Sequence, residues 1–145
     1  MIYIGNVIKL FINNKEENTI IKKDSINCDK YGIVGDKFYK KDKNRSILLS
    51  SLQSYDLAKN NNIDIEYGLL GENILLDFNP KDLQIGSIIK IGDVKSKIAQ
   101  ECTLCKHLSS IDNKLPKLLK KDRGMFVYAL NSGNIKVGDK VYLDI

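Results

Sequence analysis

Leu83-Gln84-Ile85-Gly86-Ser87-Ile88-Ile89-Lys90-Ile91 sets a glycine just before a short alternating run, and Ile135-Lys136-Val137-Gly138-Asp139-Lys140-Val141-Tyr142-Leu143 repeats the arrangement near the C-terminus. In both, glycine frees the backbone for a tight turn and the alternation suits a strand. The apolar residue before each glycine, Ile85 or Val137, is expected to point inward. Small β-barrels use corners of this kind.

Outward from these corners, the periodicity reads mostly as strands: Ile2–Ile12, Thr19–Ile26, Arg45–Leu49, Asn73–Leu76, Ser87–Ile91, Val94–Ala99, Met125–Leu130 and Lys140–Ile145. They are short, rich in Ile, Val, Leu and Tyr, and separated by Gly, Asn and Asp. An antiparallel sheet curling on itself is the simplest outcome. Two helices are expected. One runs over 51–59, with Ser50 or Ser51 as cap and Leu52, Tyr55, Leu57 and Ala58 near one side. The other spans Leu115–Lys121, with Pro116 in the first turn, where its missing N–H costs nothing.

A chain of 145 residues with 43% hydrophobic content suits one domain, 1–145, around one core. No stretch approaches the roughly 18 apolar residues of a membrane span, and MIYIGNVIKLF lacks the basic start and cleavage site of a signal peptide. A soluble, cytoplasmic protein is expected, with no membrane partner. The net charge of +5 favours an anionic partner. Its basic residues are spread along the chain, so most lysines read as a solvated face and no nucleic-acid partner is expected. Arg45 and Arg123 are the only arginines beside 21 lysines. A guanidinium fork grips phosphate or carboxylate at two points, so both are candidates for ligand binding.

Cys28, Cys102 and Cys105 are too few, and odd in number, for a disulfide scaffold; they read as reduced thiols. Gln100-Glu101-Cys102-Thr103-Leu104-Cys105-Lys106-His107 is the most informative segment. A thiol reacts or ligates metal as thiolate, which nearby cations such as Lys106 and His107 favour. Four readings stay open: a redox dithiol, which lacks its βαβ context; a zinc site drawing in Cys28 and His107, with unfamiliar spacing; a reactive cysteine at a pocket rim; and two cysteines packed as small hydrophobes. His107, the only histidine, has a reference pKa of about 6.5 and could shuttle protons.

Three further segments could line such a pocket. Gly32-Ile33-Val34-Gly35-Asp36 precedes a polar loop leading to Arg45, and its glycines would let backbone N–H groups approach an anion. Gly71-Glu72-Asn73 offers a turn whose carboxylate and amide could bond a heterocycle edge, although Asn73 could merely close the turn. Asp122-Arg123-Gly124 sets an arginine at the lip of a strand.

In order, Gly32-x-x-Gly35-Asp36, Arg45 with Ser46-Ile47-Leu48-Leu49-Ser50, Gly68-x-x-Gly71-Glu72-Asn73-Ile74, Leu83-x-x-Gly86, Ile91-Gly92-Asp93, Glu101-Cys102-x-x-Cys105, Gly124-Met125-Phe126 and Gly133-x-Ile135-x-x-Gly138-Asp139 resemble the MOSC domain, the C-terminal domain of molybdenum cofactor sulfurase that also occurs as small free-standing bacterial proteins. The resemblance implies a mainly β fold, a closed β-barrel like that of pyruvate kinase with two or three short helices. It implies a molybdenum cofactor (molybdopterin) held near Gly35, Asp36, Arg45, Gly71, Glu72, Asn73 and Arg123. It also implies a reactive cysteine that carries sulfur or ligates molybdenum, a soft ligand on a metal already bound by sulfur. Cys105, beside Lys106 and His107, is preferred, with Cys102 second. Short members often carry histidines where this chain has Thr103 and Phe38, which removes two proton donors.

The resemblance favours a cofactor or sulfur carrier, or a sulfuration module, with Cys105 as acceptor. The alternatives are a molybdenum-dependent reductase of N-hydroxylated compounds and a zinc-bound structural module. Pyridoxal phosphate binding comes only as a family-level term. The chain resembles neither a pyridoxal-dependent desulfurase nor a flavin or iron–sulfur domain, so an external protein would deliver sulfur or electrons.

Overall fold

The computed structural model describes residues 1–14, 16–103 and 106–145, with Lys106 described in its backbone only. Its strands are β1 (Ile2–Asn14), β2 (Thr19–Lys23), β3 (Ser25–Asp29), β4 (Gly32–Ile33), β5 (Ile47–Ser51), β6 (Ile74–Leu76), β7 (Ile88–Ile91), β8 (Val94–Glu101), β9 (Met125–Ala129), β10 (Gly133–Lys136) and β11 (Lys140–Asp144). The helices are α1 (Leu52–Asn60), α2 (Lys106–Ile111) and α3 (Leu115–Leu118), and short 3-10 turns cover Lys43–Arg45 and Pro80–Asp82.

Among the described residues, β1, β11, β7, β8, β9, β5 and β6 pair in that order, and β6 pairs back onto β1, closing a barrel. Closure leaves no free edge within the ring. The ring is antiparallel except between β5 and β6, where Leu49 faces Ile74 in parallel register. A parallel return needs a long crossover, here α1 and the loop over 61–73. β2 extends the far half of β1 outside the ring, and β10, β3 and β4 form a separate small sheet.

Strand alternation divides the apolar residues among three clusters. Ile47 and Leu49 of β5, Ile74 and Leu76 of β6, and Met125 and Val127 of β9 pack in one cluster. Burying each such side chain stabilises the fold by about 2 kcal/mol. The intervening residues belong elsewhere. Leu75 packs with Tyr55, Ala58, Leu108 and Leu115 of the helices. Leu48 and Phe126 join Cys102 in a third, smaller cluster.

Several expectations need correction. Thr19–Ile26 is two strands broken at Asp24, while β4 and β10 were not anticipated from their short, partly polar sequences. The helix expected over Leu115–Lys121 stops at Leu118, because the chain must turn, with Asp122 N donating to Leu119 O, before β9 enters its register at Met125. Helix α2 was also unforeseen. Ile85 and Val137 do not point inward; they are 66% and 42% exposed. Each sits at the first corner of a turn closed by Ser87 N to Gln84 O or Asp139 N to Lys136 O, and that corner projects into solvent.

No helix among the described residues is long and apolar enough to cross a membrane.

Candidate functional site

Strand phase and chain reversals bring the candidate residues to one concavity on the outer side of the barrel. Leu48 and Phe126 reach it because they lie out of phase with the barrel-facing residues of β5 and β9. Arg45 arrives on the 3-10 turn just before β5, and Arg123 two residues before β9. Gly124 enables that last approach. Its φ is +127°, and a Cβ there would collide with the Leu49 carbonyl oxygen. Its own carbonyl accepts from Cys102 N at 2.9 Å, which fixes the start of the cysteine segment.

The resulting cavity measures about 550 Å³. Among the described residues, Leu48 and Phe126 supply apolar wall, Asn13 an amide, and Lys37, Lys41, Arg45 and Arg123 positive charge, against the single carboxylate of Asp42. Such an imbalance draws anions, and low-dielectric walls strengthen the pull. Arg123 is only 5% exposed and its Nη2 passes over Gly71, where a Cβ would come to 3.8 Å. Gly71 has φ +86°, so the turn itself favours glycine, while Arg123 would meet a Cβ there only in ordinary contact.

Behind this surface lies a buried polar wall. Asn73 Oδ1 accepts from Leu48 N at 3.0 Å, while its Nδ2 donates to Phe11 O and Asp36 Oδ1, both at 3.2 Å. Asp36 further accepts from Asn13 N at 2.8 Å and Phe38 N at 3.0 Å, locking two lining segments together. Glu72 is fully buried and accepts from Ser50 Oγ at 2.7 Å and Tyr55 OH at 2.6 Å. Tyr55 OH in turn accepts from Gly68 N at 2.9 Å, holding the turn that leads to Gly71. Burial pushes the Glu72 carboxyl up, against the opposing pull of the Tyr55 and Ser50 hydrogen bonds and the Arg123 charge. The Tyr55 phenol is pushed up as well, first by burial and then by Glu72.

Of the residues singled out from sequence, Arg45, Arg123, Gly71, Asn73, Cys102 and His107 share the cavity lining. Asp36 and Glu72 do not; they are buried supports for it. Gly35 is exposed in the turn after β4, with φ +89°, and does not line the cavity. Cys105 lies outside the described residues. Asn13, Lys37, Lys41, Leu48 and Phe126 were missed, although the phase of β5 and β9 already separates Leu48 and Phe126 from the barrel core.

The thiols have different surroundings. Cys28 is buried inside the barrel core, where burial and then the Asp29 charge push it up to about 12. Cys102 is 1% exposed and packs against Leu48 and Phe126, beside the cavity. The two belong to different clusters, and among the described residues no three His, Cys, Asp or Glu side chains group as a metal site. His107 Nε2 lies 2.6 Å from Leu69 O. A carbonyl only accepts, so Nε2 is the donor in this contact.

A family model, the MOSC domain, matches residues 35–142. Solved structures show the same fold at low identity. The YuaD protein from Bacillus subtilis superposes with TM-score 0.82 at 16% identity, covering 94% of this chain and 93% of that one. YiiM from Geobacillus stearothermophilus gives TM-score 0.75 at 16% identity over 98% of this chain and 76% of its own. YiiM from Escherichia coli gives 0.73 at 14% identity, with 97% and 70% covered. No curated protein matches the chain.

Proposed function

The chain belongs to the MOSC domain family, and from that premise we propose that its cavity binds a pterin-based molybdenum cofactor and that the protein carries this cofactor or its sulfur. The single observation that supports this most is the convergence of Arg45, Arg123 and Cys102 on one cavity with an apolar floor. The donor set fits. Lys37, Lys41, Arg45 and Arg123 would hold the phosphate, the first two as point charges and the arginines as forks. Leu48 and Phe126 would exclude water from the ring system, and the cavity volume falls within the range of roughly 300–1,000 Å³ typical of small-molecule sites.

When bound, the cofactor would supply a metal able to hold sulfur or exchange electrons. The chain's own groups do the rest. Asp36, Asn73, Glu72 and Tyr55 fix the lining segments in place. Cys105 is the proposed sulfur acceptor and molybdenum ligand, with Cys102 second. An external cytoplasmic donor protein would supply sulfur.

A second reading, a molybdenum-dependent reductase of N-hydroxylated compounds, draws support from His107. It lines the cavity and offers a proton carrier where Phe38 and Thr103 cannot. Electrons would come from a separate donor.

Anaerobic loading tests both. Stoichiometric pterin fluorescence and molybdenum in wild-type protein, with loss of transferable sulfur but not of pterin in Cys105→Ser, is the carrier's signature. Reduction of a hydroxylamine substrate with an artificial electron donor, abolished in Cys105→Ser, would instead establish the reductase. Stoichiometric zinc in protein that takes up no pterin would defeat both.

A further inference from the structure

Beside the cavity mouth lies a second pocket of about 450 Å³, lined by Lys30, Tyr31, Lys40, Lys41 and Lys43. We infer that this lysine pocket is a binding site for a diphosphate group.

Among the described residues, the lining comprises four lysines and a tyrosine and no carboxylate. Lys30 Nζ and Lys40 Nζ stand 5.2 and 5.3 Å from the centre of the Tyr31 ring, so one ring neighbours two of these cations. Lys43 Nζ lies 4.4 Å from the Tyr128 ring centre. Neighbouring rings soften the repulsion among these charges but leave it uncancelled.

Local acids are committed elsewhere. Asp29 accepts from Tyr39 OH at 2.6 Å and from Tyr31 N at 2.8 Å. Asp42 accepts from Asn44 N at 3.0 Å and stands 4.0 Å from Arg45 Nε. Among the described residues, the ion pairs within 4.0 Å are Arg45 with Asp42 and Lys81 with Asp122. The carboxylates therefore shape the loop, and its ammonium groups remain available to a ligand. Lys40 adds a conformational sign. Its φ is +61°, a left-handed state that glycine or asparagine adopts more readily, and its N–H donates to Tyr31 O at 3.0 Å. The loop keeps a lysine where its backbone would favour another residue.

A diphosphate suits four cations better than a single phosphate does, since its extra charge and oxygens engage more ammonium groups. Concavity favours a compact polyanion over a nucleic acid strand, which needs a groove that tracks its backbone. Lys41 lines both cavities, so the diphosphate could belong to a free ligand or to an arm of one seated in the first cavity. This site stands on its own geometry and does not depend on the cofactor reading.

Calorimetric titration of the full chain with inorganic pyrophosphate at low salt tests it. Wild type should bind one pyrophosphate, more tightly than orthophosphate. Lys40→Ala combined with Lys43→Ala should weaken binding by roughly tenfold or more, because two of the four facing charges are lost. Lys117→Ala, which removes one exposed charge on α3 outside both pockets, should stay within about twofold. Far-ultraviolet circular dichroism on each variant confirms the fold. Absence of pyrophosphate binding, equal affinity in the double variant, or an equal loss in Lys117→Ala would overturn the site. So would a single-stranded oligonucleotide that binds through Lys40 and Lys43 where pyrophosphate does not. Titration with GDP separates the sources. A loss with Arg45→Ala for GDP but not pyrophosphate means one ligand spans both cavities, and retention of both means a free diphosphate ligand. Pterin loading is measured separately, so either site can fail without the other.

Discussion

The barrel interior and the wall behind the cavity are both closed to water, but they are built from opposite materials. Inside the barrel, Ile, Leu, Val and Met side chains from every strand of the ring meet, and the Cys28 sulfur among them is held in its thiol form. In the wall, Glu72, Tyr55, Ser50, Asp36 and Asn73 sit just as deep and satisfy one another. Apolar packing is non-directional and supplies stability in proportion to area. Hydrogen bonds in a buried network contribute less net energy but fix positions. The barrel therefore holds the fold, and the wall sets where Leu48, Phe38, Asn13 and the Gly68–Gly71 turn stand around the cavity.

The largest effect should come from the barrel. Leu49→Ala removes a side chain with no exposure from the β5 row and leaves a cavity among Ile47, Ile74 and Met125. A loss of about 3 kcal/mol is expected in urea unfolding. A loss below about 1 kcal/mol would mean that the interior repacks freely and that the contrast with the wall is overstated.

Tyr55→Phe attacks the wall alone. It deletes the hydroxyl that donates to Glu72 and accepts from Gly68 N, leaving the ring in its edge contact with Tyr67. The expected cost is about 1–2 kcal/mol, the penalty for stranding buried partners. Ligand uptake should fall more than stability does, because the turn carrying Gly71 loses its anchor. Equal cost with unchanged uptake would reduce the wall to ordinary packing.

These two regions were unequally legible from sequence. Alternation exposed β1, β5, β7, β8, β9 and β11 because each buries one face against the barrel. The small β10–β3–β4 sheet escaped, since Gly133-Asn134 and Gly32-Ile33 carry too little apolar signal, and α2, with Lys106-His107-Leu108-Ser109-Ser110-Ile111, has weak periodicity. Arg45 and Arg123 stood out by their rarity, and both line the cavity. Glu72 looked like a ligand contact because its buried partners, Ser50 and Tyr55, lie far back in the sequence, and nothing local reveals that they enclose it. Asp36 is likewise enclosed by partners distant in sequence, Asn13 and Asn73. The cationic loop over 30–45 was legible only as charge, since its pocket depends on how the chain folds across Tyr31 and Tyr39.

The Glu72 carboxyl also gives the wall a dependence on pH. Burial raises its folded pKa above the ordinary 4.5, so the folded chain retains a proton that the unfolded chain releases. The stability contributed by that proton is complete below the unfolded value and declines as pH rises through the window up to the folded one. Glu72→Gln keeps the shape and removes the titration. Its stability relative to wild type should therefore improve as pH rises through this window, in urea unfolding at a series of pH values. A difference independent of pH would show the carboxylate to be charged in both states. Leu49→Ala, by contrast, should shift the whole profile without changing its slope.

Arg45→Ala should have the smallest effect on stability and separates the two regions most sharply. The Arg45 side chain is 49% exposed, and its ion pair with Asp42 is long, at 4.0 Å. Exposed pairs of this kind are worth under about 0.5–1 kcal/mol, so the unfolding midpoint should hardly move. The same guanidinium is one of four cations on the cavity lining, and its fork matches phosphate geometry as lysine does not. Uptake of a phosphate-bearing pterin should then weaken by roughly tenfold, the loss of one charge-assisted contact of about 1.4 kcal/mol. Arg45→Lys should recover only part of it, because charge returns without the second donor. If Arg45→Ala binds the pterin as wild type does while remaining fully folded, the cavity's charge is mere surface, and only the buried wall would still distinguish this face from the rest of the barrel.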